Sequence, residues 1–365
     1  MKNKCFYLLI AVLLLQWSSE VSAQAPLKWE IGLDYTFDNR EYDECGYQFS
    51  YTLGAVRVQP SIEYSINNIH TLHLGLSALK EHGTKKFMDK TELSAFYQLT
   101  LSGFTFKAGV FDKESTIHAY SDRFFDTPDR FYNPLMSGVF LEYVKDKNSF
   151  ANIWIEWLSK KNNIDRERFH AGLSAAYQWR SLFIQSNLRM MHLSINEPYI
   201  DPNQGVVEDL QGEIMAGLRG EQAFGWLDYQ FGVGGYGTIE RDRKAFLEHQ
   251  GLGLITSAEL KSNGVGIEGY FYYGSGHQKF RDQYGTLLYY GNPFLQAKYY
   301  GQTKLFWDII KDPWIDMRFD LGLHIVDTGA YWQQSLKVSF NLNSINKGMK
   351  RSDYKASFPW LNIFR

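Results

Sequence analysis

The chain of 365 residues is poor in cysteine, in net charge and in long apolar runs, and each shortage excludes a class of protein. Its two cysteines are Cys5 and Cys45, and Cys5 lies in a segment that we expect to be removed, so the mature chain has no intrachain disulfide. A formal net charge of −2 gives no reason to expect nucleic acid as a partner. After residue 23 there is no run of roughly 18 apolar residues, which argues against a transmembrane helix.

The first 23 residues have the pattern of a signal peptide. Lys2 and Lys4 precede an apolar segment from Phe6 to Leu15 that is too short to span a bilayer. Val21-Ser22-Ala23 is a small-x-small cleavage site, so we expect residues 1–23 to be removed before Gln24; an uncleaved anchor is the alternative.

What the chain has in abundance is aromatic residues, 16% of the total, and apolar residues that alternate with polar ones. The segment from Trp314 to Val326 is typical. One parity carries Ile315, Met317, Phe319, Leu321, Leu323 and Ile325, and the other carries Asp316, Arg318, Asp320, Gly322 and His324. Because a strand has a period of two, these sets point to opposite faces.

This alternation recurs along nearly the whole chain and predicts the fold class. We expect an all-β protein, a single transmembrane antiparallel β-barrel of about 16 strands over residues 24–343, with a periplasmic C-terminal tail over 344–365. Every second connection is short, as expected for periplasmic turns, and those between are mostly long, as expected for extracellular loops. The alternative is a soluble β-sandwich. Between Ala55 and Val56 the apolar residues change parity, which we interpret as a β-bulge near Gly54.

Parity also assigns charged residues to the barrel interior, because a charge facing lipid costs several kcal/mol. The predicted pore-lining residues are Arg57, Glu63, Lys107, Glu142, Arg219, Glu268, Lys304, Asp316, Arg318, Asp320 and Lys337. They would line a water-filled channel or, alternatively, pair with one another inside a closed barrel.

From Lys28 to Asn343 the pattern resembles the porin-like superfamily of bacterial outer-membrane β-barrels. In general porins the third extracellular loop folds into the lumen and narrows it, and here that loop runs from Asp112 to Met136. The resemblance therefore implies a constriction loop whose charged residues are Asp122, Arg123, Asp126, Asp129 and Arg130. The glycine-containing acidic motif of general porins is absent from it.

We find no motif that indicates an enzyme. G-x-S-x-G and H-E-x-x-H are absent. The trio best suited to a lipid hydrolase is His324, Asp327 and Ser335, whose spacing does not distinguish them from polar lumen residues. His70 and His73 are three apart and face opposite sides of a strand, so they do not form a metal site. The sequence therefore predicts no enzyme, no metal and no cofactor.

The function that we predict is passive passage of small polar solutes through a porin-like channel in the outer membrane of a Gram-negative bacterium. The alternatives are a non-conducting barrel that acts as a surface receptor or envelope-assembly component, and a membrane-embedded lipid enzyme. Expected partners are outer-membrane lipid and small polar solutes, with a homo-oligomer or a periplasmic partner at the tail left open. We expect Tyr289-Tyr290 to belong to an aromatic-rich outer surface.

Overall fold

The computed structural model describes residues 27–162, 165–195 and 205–344. The predicted signal peptide and nearly all of the predicted tail lie outside these residues. The strands are β1 (Leu27–Glu41), β2 (Tyr51–Ile66), β3 (His70–Glu81), β4 (Lys90–Leu101), β5 (Phe104–Asp112), β6 (Leu135–Asp146), β7 (Ser149–Ser159), β8 (Arg168–Trp179), β9 (Leu182–Leu193), β10 (Val207–Ala223), β11 (Leu227–Asp242), β12 (Leu247–Ser262), β13 (Val265–Gly274), β14 (Tyr299–Lys311), β15 (Ile315–Val326) and β16 (Gly329–Asn343).

Each strand pairs antiparallel with its neighbours in sequence, and β1 pairs with β16 to close the barrel. The closing register runs from Glu30 opposite Asn343 to Glu41 opposite Trp332. Closure removes both sheet edges, so the backbone donors and acceptors of every strand find partners within the sheet. The predicted sixteen-stranded antiparallel barrel is confirmed.

The outer face of the barrel is apolar. Side chains of the outward parity are about half exposed although they are hydrophobic, as at Ile153 (54%), Ile214 (55%), Val233 (52%), Leu254 (55%) and Leu305 (52%). Exposure of this apolar surface to water would be unfavourable along every strand, whereas contact with the hydrocarbon of a lipid bilayer is favourable.

Short turns lie at one end of the barrel. Residues 67–69 link β2 to β3 in a tight turn, in which Asn67 and Asn68 have φ of 54° and 56°, the left-handed conformation that asparagine tolerates. The first residue of β1 and the last of β16 lie at this same end, which we call the short-turn end. The opposite end is the long-loop end.

The long-loop end carries the helices of the described residues. Between β5 and β6 lie α1 (Glu114–Ile117) and α2 (Thr127–Tyr132). The Asp126 side chain caps α2 by accepting a hydrogen bond from Thr127 N at 2.8 Å. Between β13 and β14 lie α3 (Arg281–Tyr284) and two 3₁₀ helices, Gly285–Leu287 and Pro293–Gln296. No helix in the described ranges is long and apolar enough to cross a membrane.

The predicted bulge near Gly54 is wrong. β2 pairs with β1 without a register shift from Tyr51 to Tyr64. The change of parity has another cause: Leu53 and Ala55 face inward and are buried with Phe131 of α2, whereas the apolar residues after them face outward. On β2, the inward face is therefore apolar in its long-loop half and polar from Arg57 onward.

Candidate functional site

Among the described residues, the interior of the barrel is filled at the long-loop end, and its side chains are more exposed toward the short-turn end. Along the inward face of β1, Glu30 is exposed and Asp34 is half-buried. The next inward residues, Thr36, Asp38 and Arg40, are at most 5% exposed. The water-accessible part of the lumen is therefore a vestibule in the short-turn half.

The loop that follows β5, residues 113–134, folds into the lumen and fills it. Arg123 Nε lies 2.6 Å from Glu213 Oε2 on β10, and Asp126 Oδ2 lies 3.3 Å from Arg40 Nη1 on β1. These contacts attach the loop to strands on opposite sides of the barrel.

The second long connection, residues 275–298, packs against the first. Asp126 N donates to Tyr290 O at 2.7 Å, and Asn292 N donates to Asp122 O at 2.9 Å. Tyr289 is 1% exposed, and its hydroxyl donates to Glu240 Oε2 on β11 at 2.5 Å. Tyr289 thus lies inside the barrel, and the expectation of an aromatic outer surface at this position is wrong.

The structure places the predicted constriction residues as follows. Asp122, Arg123, Asp126 and Asp129 lie within the filled part of the lumen, and Arg130 Nη1 pairs inside the loop with Glu114 at 2.6 Å. Burial raises the pKa of the Asp129 carboxyl, whereas positive charges nearby hold the pKa of Asp122 below its usual range. Their part in narrowing a channel stays a prediction.

The charged residues predicted to line the pore lie on the inward parity of their strands. In the vestibule they form a network of both signs, in which Arg318 lies 2.7 Å from Asp320 and 3.4 Å from Glu268, while Lys304 lies 3.5 Å from Glu268. Arg57 lies against the ring of Phe131, at 4.6 Å from its centroid. Whether they line a conducting pore stays a prediction.

The trio considered for hydrolysis does not assemble. His324 Nε2 lies 3.0 Å from Gln333 Oε1 and its Nδ1 lies 2.7 Å from Tyr300 Oη. Ser335 Oγ donates to Asp320 at 3.1 Å, and Asp327 accepts from a tyrosine hydroxyl.

A different trio does assemble in the vestibule, from three neighbouring strands. Ser94 Oγ on β4 lies 3.1 Å from His73 Nε2 on β3, and His73 Nδ1 lies 3.3 Å from Glu63 Oε1 on β2. With its proton on Nδ1, the imidazole donates to Glu63 and accepts from Ser94, which is the arrangement that activates a serine hydroxyl. We call Glu63, His73 and Ser94 the triad.

The strand register and two neighbours position the triad. Glu63 stands opposite His73 across the β2–β3 pair, and Phe96 stands opposite His73 across the β3–β4 pair. The Phe96 ring stacks on the imidazole with centroids 4.5 Å apart, which fixes the plane of the histidine. Gly75 stands opposite Ser94 and leaves open the space where the serine and histidine meet.

The triad lines a cavity of about 400 Å³ in the short-turn half of the lumen. This volume falls in the range of small-molecule sites. Lys107 is the cation in its lining, and its ammonium lies about 6 Å from the centroid of Phe96. Asp112, Ser115 and Leu135 lie at the root of the 113–134 loop and line the same cavity.

Sequence reasoning named Glu63 as inward and His73 as unable to pair with His70, but did not join them to Ser94. The available signal was parity: Glu63, His73 and Ser94 all share the inward parity of consecutive strands. What parity cannot give is the register, and the register brings together residues that are 10 and 21 positions apart. Within the described ranges, no group of three or more His, Cys, Asp or Glu residues is placed to hold a metal ion.

With sixteen antiparallel strands, short turns at one end and an in-folded third loop, the molecule has the fold of a porin-like β-barrel, as the resemblance implied. The fold is similar to that of solved Occ/Opd outer-membrane porins. OccAB1 of Acinetobacter baumannii matches with a TM-score of 0.53 and 9% identity over 87% of this chain and 97% of its own. OccK9 (OpdG) of Pseudomonas aeruginosa matches with a TM-score of 0.52 and 12% identity, over 87% of this chain and 98% of its own. OpdL of P. aeruginosa matches with a TM-score of 0.51 and 11% identity, over 88% of this chain and 100% of its own. At such identities the likeness concerns the fold alone.

Residues 24–344 match the family described as Lipid A 3'-O-deacylase-type, and the chain belongs to that family. The prediction that the protein is not an enzyme is wrong, because this is an enzyme family. No curated protein matches the chain.

Proposed function

We propose that the protein is an acyl-ester hydrolase of the Gram-negative outer membrane, with Ser94 as the nucleophile, His73 as the general base and Glu63 as the residue that orients the imidazole. The observation that carries the proposal is the pair of contacts at 3.1 Å and 3.3 Å that joins these three side chains. Family membership supports the reaction class, because a 3'-O-deacylase cleaves an ester-linked acyl chain.

The reaction follows from the geometry of the triad. Ser94 Oγ attacks the ester carbonyl carbon while His73 Nε2 takes the hydroxyl proton. The same proton passes to the alcohol oxygen as the C–O bond breaks, which leaves an acyl-serine and a free alcohol. Water, deprotonated by His73, then attacks the acyl-serine, and the fatty acid leaves as Ser94 recovers its proton. Lys107 lines the same cavity and brings a positive charge to it, the kind of group that stabilises an oxyanion.

The test is hydrolysis by the full-length protein, refolded in detergent. Two substrates are used: lipid A in mixed micelles, followed by mass spectrometry, and p-nitrophenyl butanoate, followed by absorbance. We expect loss of an ester-linked acyl chain from lipid A, and a fall of about a thousandfold or more in both rates with Ser94→Ala. Ser77→Ala is the matched control, because Ser77 lines the same cavity outside the triad. Full activity in Ser94→Ala would show that the triad is not the site.

Passive passage of small polar solutes is the second candidate function. It is favoured by the charges of both signs in the vestibule, such as Glu268 and Arg318, and by the width of a sixteen-stranded barrel. Passage requires the 113–134 and 275–298 loops to leave the lumen. Steady conductance steps from the full-length protein in a planar bilayer would support it, and silence from folded protein would count against it.

A further inference from the structure

The outer wall of β9 to β12 carries a cluster of charges close to the long-loop end. Arg241 Nε on β11 donates to Glu208 Oε2 on β10 at 3.0 Å, and Arg243 Nε, just after β11, donates to the same oxygen at 3.2 Å. His192 Nδ1 on β9 lies 3.3 Å from Glu208 Oε1. Arg241 shares the outward parity of Ile239, so the cluster lies on the lipid-facing side of the wall and not in the lumen. We call Arg241 and Arg243 the arginine pair.

The arginine pair is only partly neutralised. Its side chains are 47% and 51% exposed, and both donate to the one carboxylate of Glu208. Glu248, opposite Arg241 on β12, adds a negative charge, and the exposed Lys244 adds a positive one, so the cations remain in excess. Because a guanidinium has five N–H donors, each arginine can still donate to a second anion, and phosphate oxygens suit that geometry.

An apolar groove of about 540 Å³ lies on the same wall, nearer the middle of the barrel. It exists where side chains are missing: Gly212 stands opposite Gly237 on the outward faces of β10 and β11. Leu188 and Leu252 stand beside them on β9 and β12 and line the groove. A Cβ on Gly212 would lie 2.9 Å from Leu188 Cδ2, so a side chain at this position would begin to fill it. Arg241 follows Gly237 by four residues, which places the charges about 13 Å farther along the strand.

A second apolar groove, of about 610 Å³, lies beside the first. Leu188 and Leu210 line both grooves and therefore stand between them. The second groove contains a small outward residue, Ala171 on β8, which stands between Ile155 and Met190 in the register. Two apolar grooves thus run side by side below one cluster of excess positive charge.

We infer that this wall binds a phosphorylated lipid with several acyl chains from the outer leaflet, with its phosphate on the arginine pair and its chains in the two grooves. Long loops of outer-membrane barrels face the cell exterior, and the outward face changes there from apolar to charged, as expected at the level of the headgroups. In the closed barrel of sixteen strands, β11 is seven strands from β4, so the site lies across the barrel from Ser94 and does not depend on the hydrolase proposal. Residues 196–204, which lie outside the described ranges, are not part of the site.

Binding is measured by native mass spectrometry of the full-length protein in detergent. The probes, at equal concentration, are hexa-acyl lipid A with two phosphates, the same lipid without phosphate, and phosphatidylglycerol. A Ser94→Ala background keeps the ester bonds intact, so the result is independent of hydrolysis. We expect one retained lipid A per barrel, weaker retention of phosphatidylglycerol because it has only two chains, and a loss of about tenfold or more for the phosphate-free lipid.

A double variant tests the arginine pair. Arg241→Gln with Arg243→Gln is expected to lower the affinity for lipid A by about tenfold or more and to leave that for the phosphate-free lipid unchanged. Lys85→Gln with Lys86→Gln is the matched control, because it removes two exposed cations from the connection between β3 and β4 at the same end of the barrel. The control is expected to bind lipid A like its Ser94→Ala background.

Gly212→Leu tests the groove without changing a charge, and it serves if the arginine double variant does not fold. We expect it to weaken lipid A binding more than Ala216→Leu, which adds the same side chain to the outward face of β10 beyond both grooves. Equal lipid A binding by the arginine and lysine double variants, or by the Gly212 and Ala216 variants, would overturn the site. Phosphatidylglycerol bound as tightly as lipid A would overturn the assignment of several chains.

Discussion

Gly75 and Ser94 stand opposite each other on β3 and β4, and a Cβ built on Gly75 would lie 2.6 Å from Ser94 Oγ. The same Cβ would lie 3.0 Å from His73 Nε2. Real side chains do not approach so closely, so the contact between the serine and the histidine exists because position 75 has no side chain.

Gly75→Ala is therefore expected to separate Ser94 from His73 and to lower kcat for ester hydrolysis by about 100-fold, the lower range of what a general base contributes. Gly32→Ala is the matched control, because Gly32 lines the same cavity and its added Cβ would meet Gln59 at an ordinary 3.6 Å. The measurement is the rate of p-nitrophenyl butanoate hydrolysis by both variants, with barrel folding followed by the heat-dependent shift in gel mobility. Equal activity of the two glycine variants would contradict the proposed approach of Ser94 to His73.

Glu63→Gln keeps the shape of the side chain and removes the carboxylate that faces His73 Nδ1. We expect kcat to fall by roughly 100-fold or more with little change in KM, because the imidazolium formed in the transition state loses its partner while substrate binding is untouched. Glu30→Gln, at the rim of the same cavity, is expected to retain activity. A change in KM alone would make Glu63 a binding residue and not part of the triad.

The barrel itself could be read from the sequence because its signal repeats. Few folds other than a barrel are compatible with sixteen alternating segments whose connections alternate in length. The residues assigned inward by parity, such as Arg318 and Lys304, lie on the inward face. The parity change at Ala55 carried information that was misinterpreted. It marks where Phe131 begins to fill the lumen, not an irregularity of β2.

The contents of the lumen could not be read in the same way. Loops have no period, so nothing in the sequence states that Phe124 and Tyr289 turn inward and pack between the barrel walls. The triad was missed for a related reason. Its members are brought together by strand register, and a slip of one residue would send His73 to the lipid face.

Arg123 holds the 113–134 loop to the barrel wall through Glu213, at 2.6 Å and with both side chains at most 7% exposed. Arg123→Ala leaves Glu213 buried without its partner, a change that typically costs about 3–5 kcal/mol. We expect the variant to show conductance steps in a planar bilayer more often than the native protein. Arg130→Ala is the matched control, since Arg130 pairs with Glu114 in the same loop. Silence from folded Arg123→Ala would mean that this contact does not hold the lumen closed.

His277 makes the position of the 275–298 loop sensitive to acid. Its Nδ1 lies 2.8 Å from Thr238 Oγ1 on β11, and burial, with a smaller contribution from Lys279, lowers the pKa of His277 to about 3. A released loop would have a histidine with a pKa of about 6.5. Between these two pH values the released loop binds a proton that the docked loop excludes. Docking is therefore fully stabilised above pH 6.5, and its free energy weakens by up to about 1.4 kcal/mol per pH unit as the pH falls toward 3.

We therefore expect openings in a planar bilayer to become more frequent from pH 7 to pH 4. His277→Asn keeps a polar group toward Thr238 but does not titrate, so it is expected to remove this pH dependence. His70→Asn, on the outer face at the short-turn end, should behave like the native protein. An opening frequency in the native protein that does not change over this range would show that His277 does not control the loop.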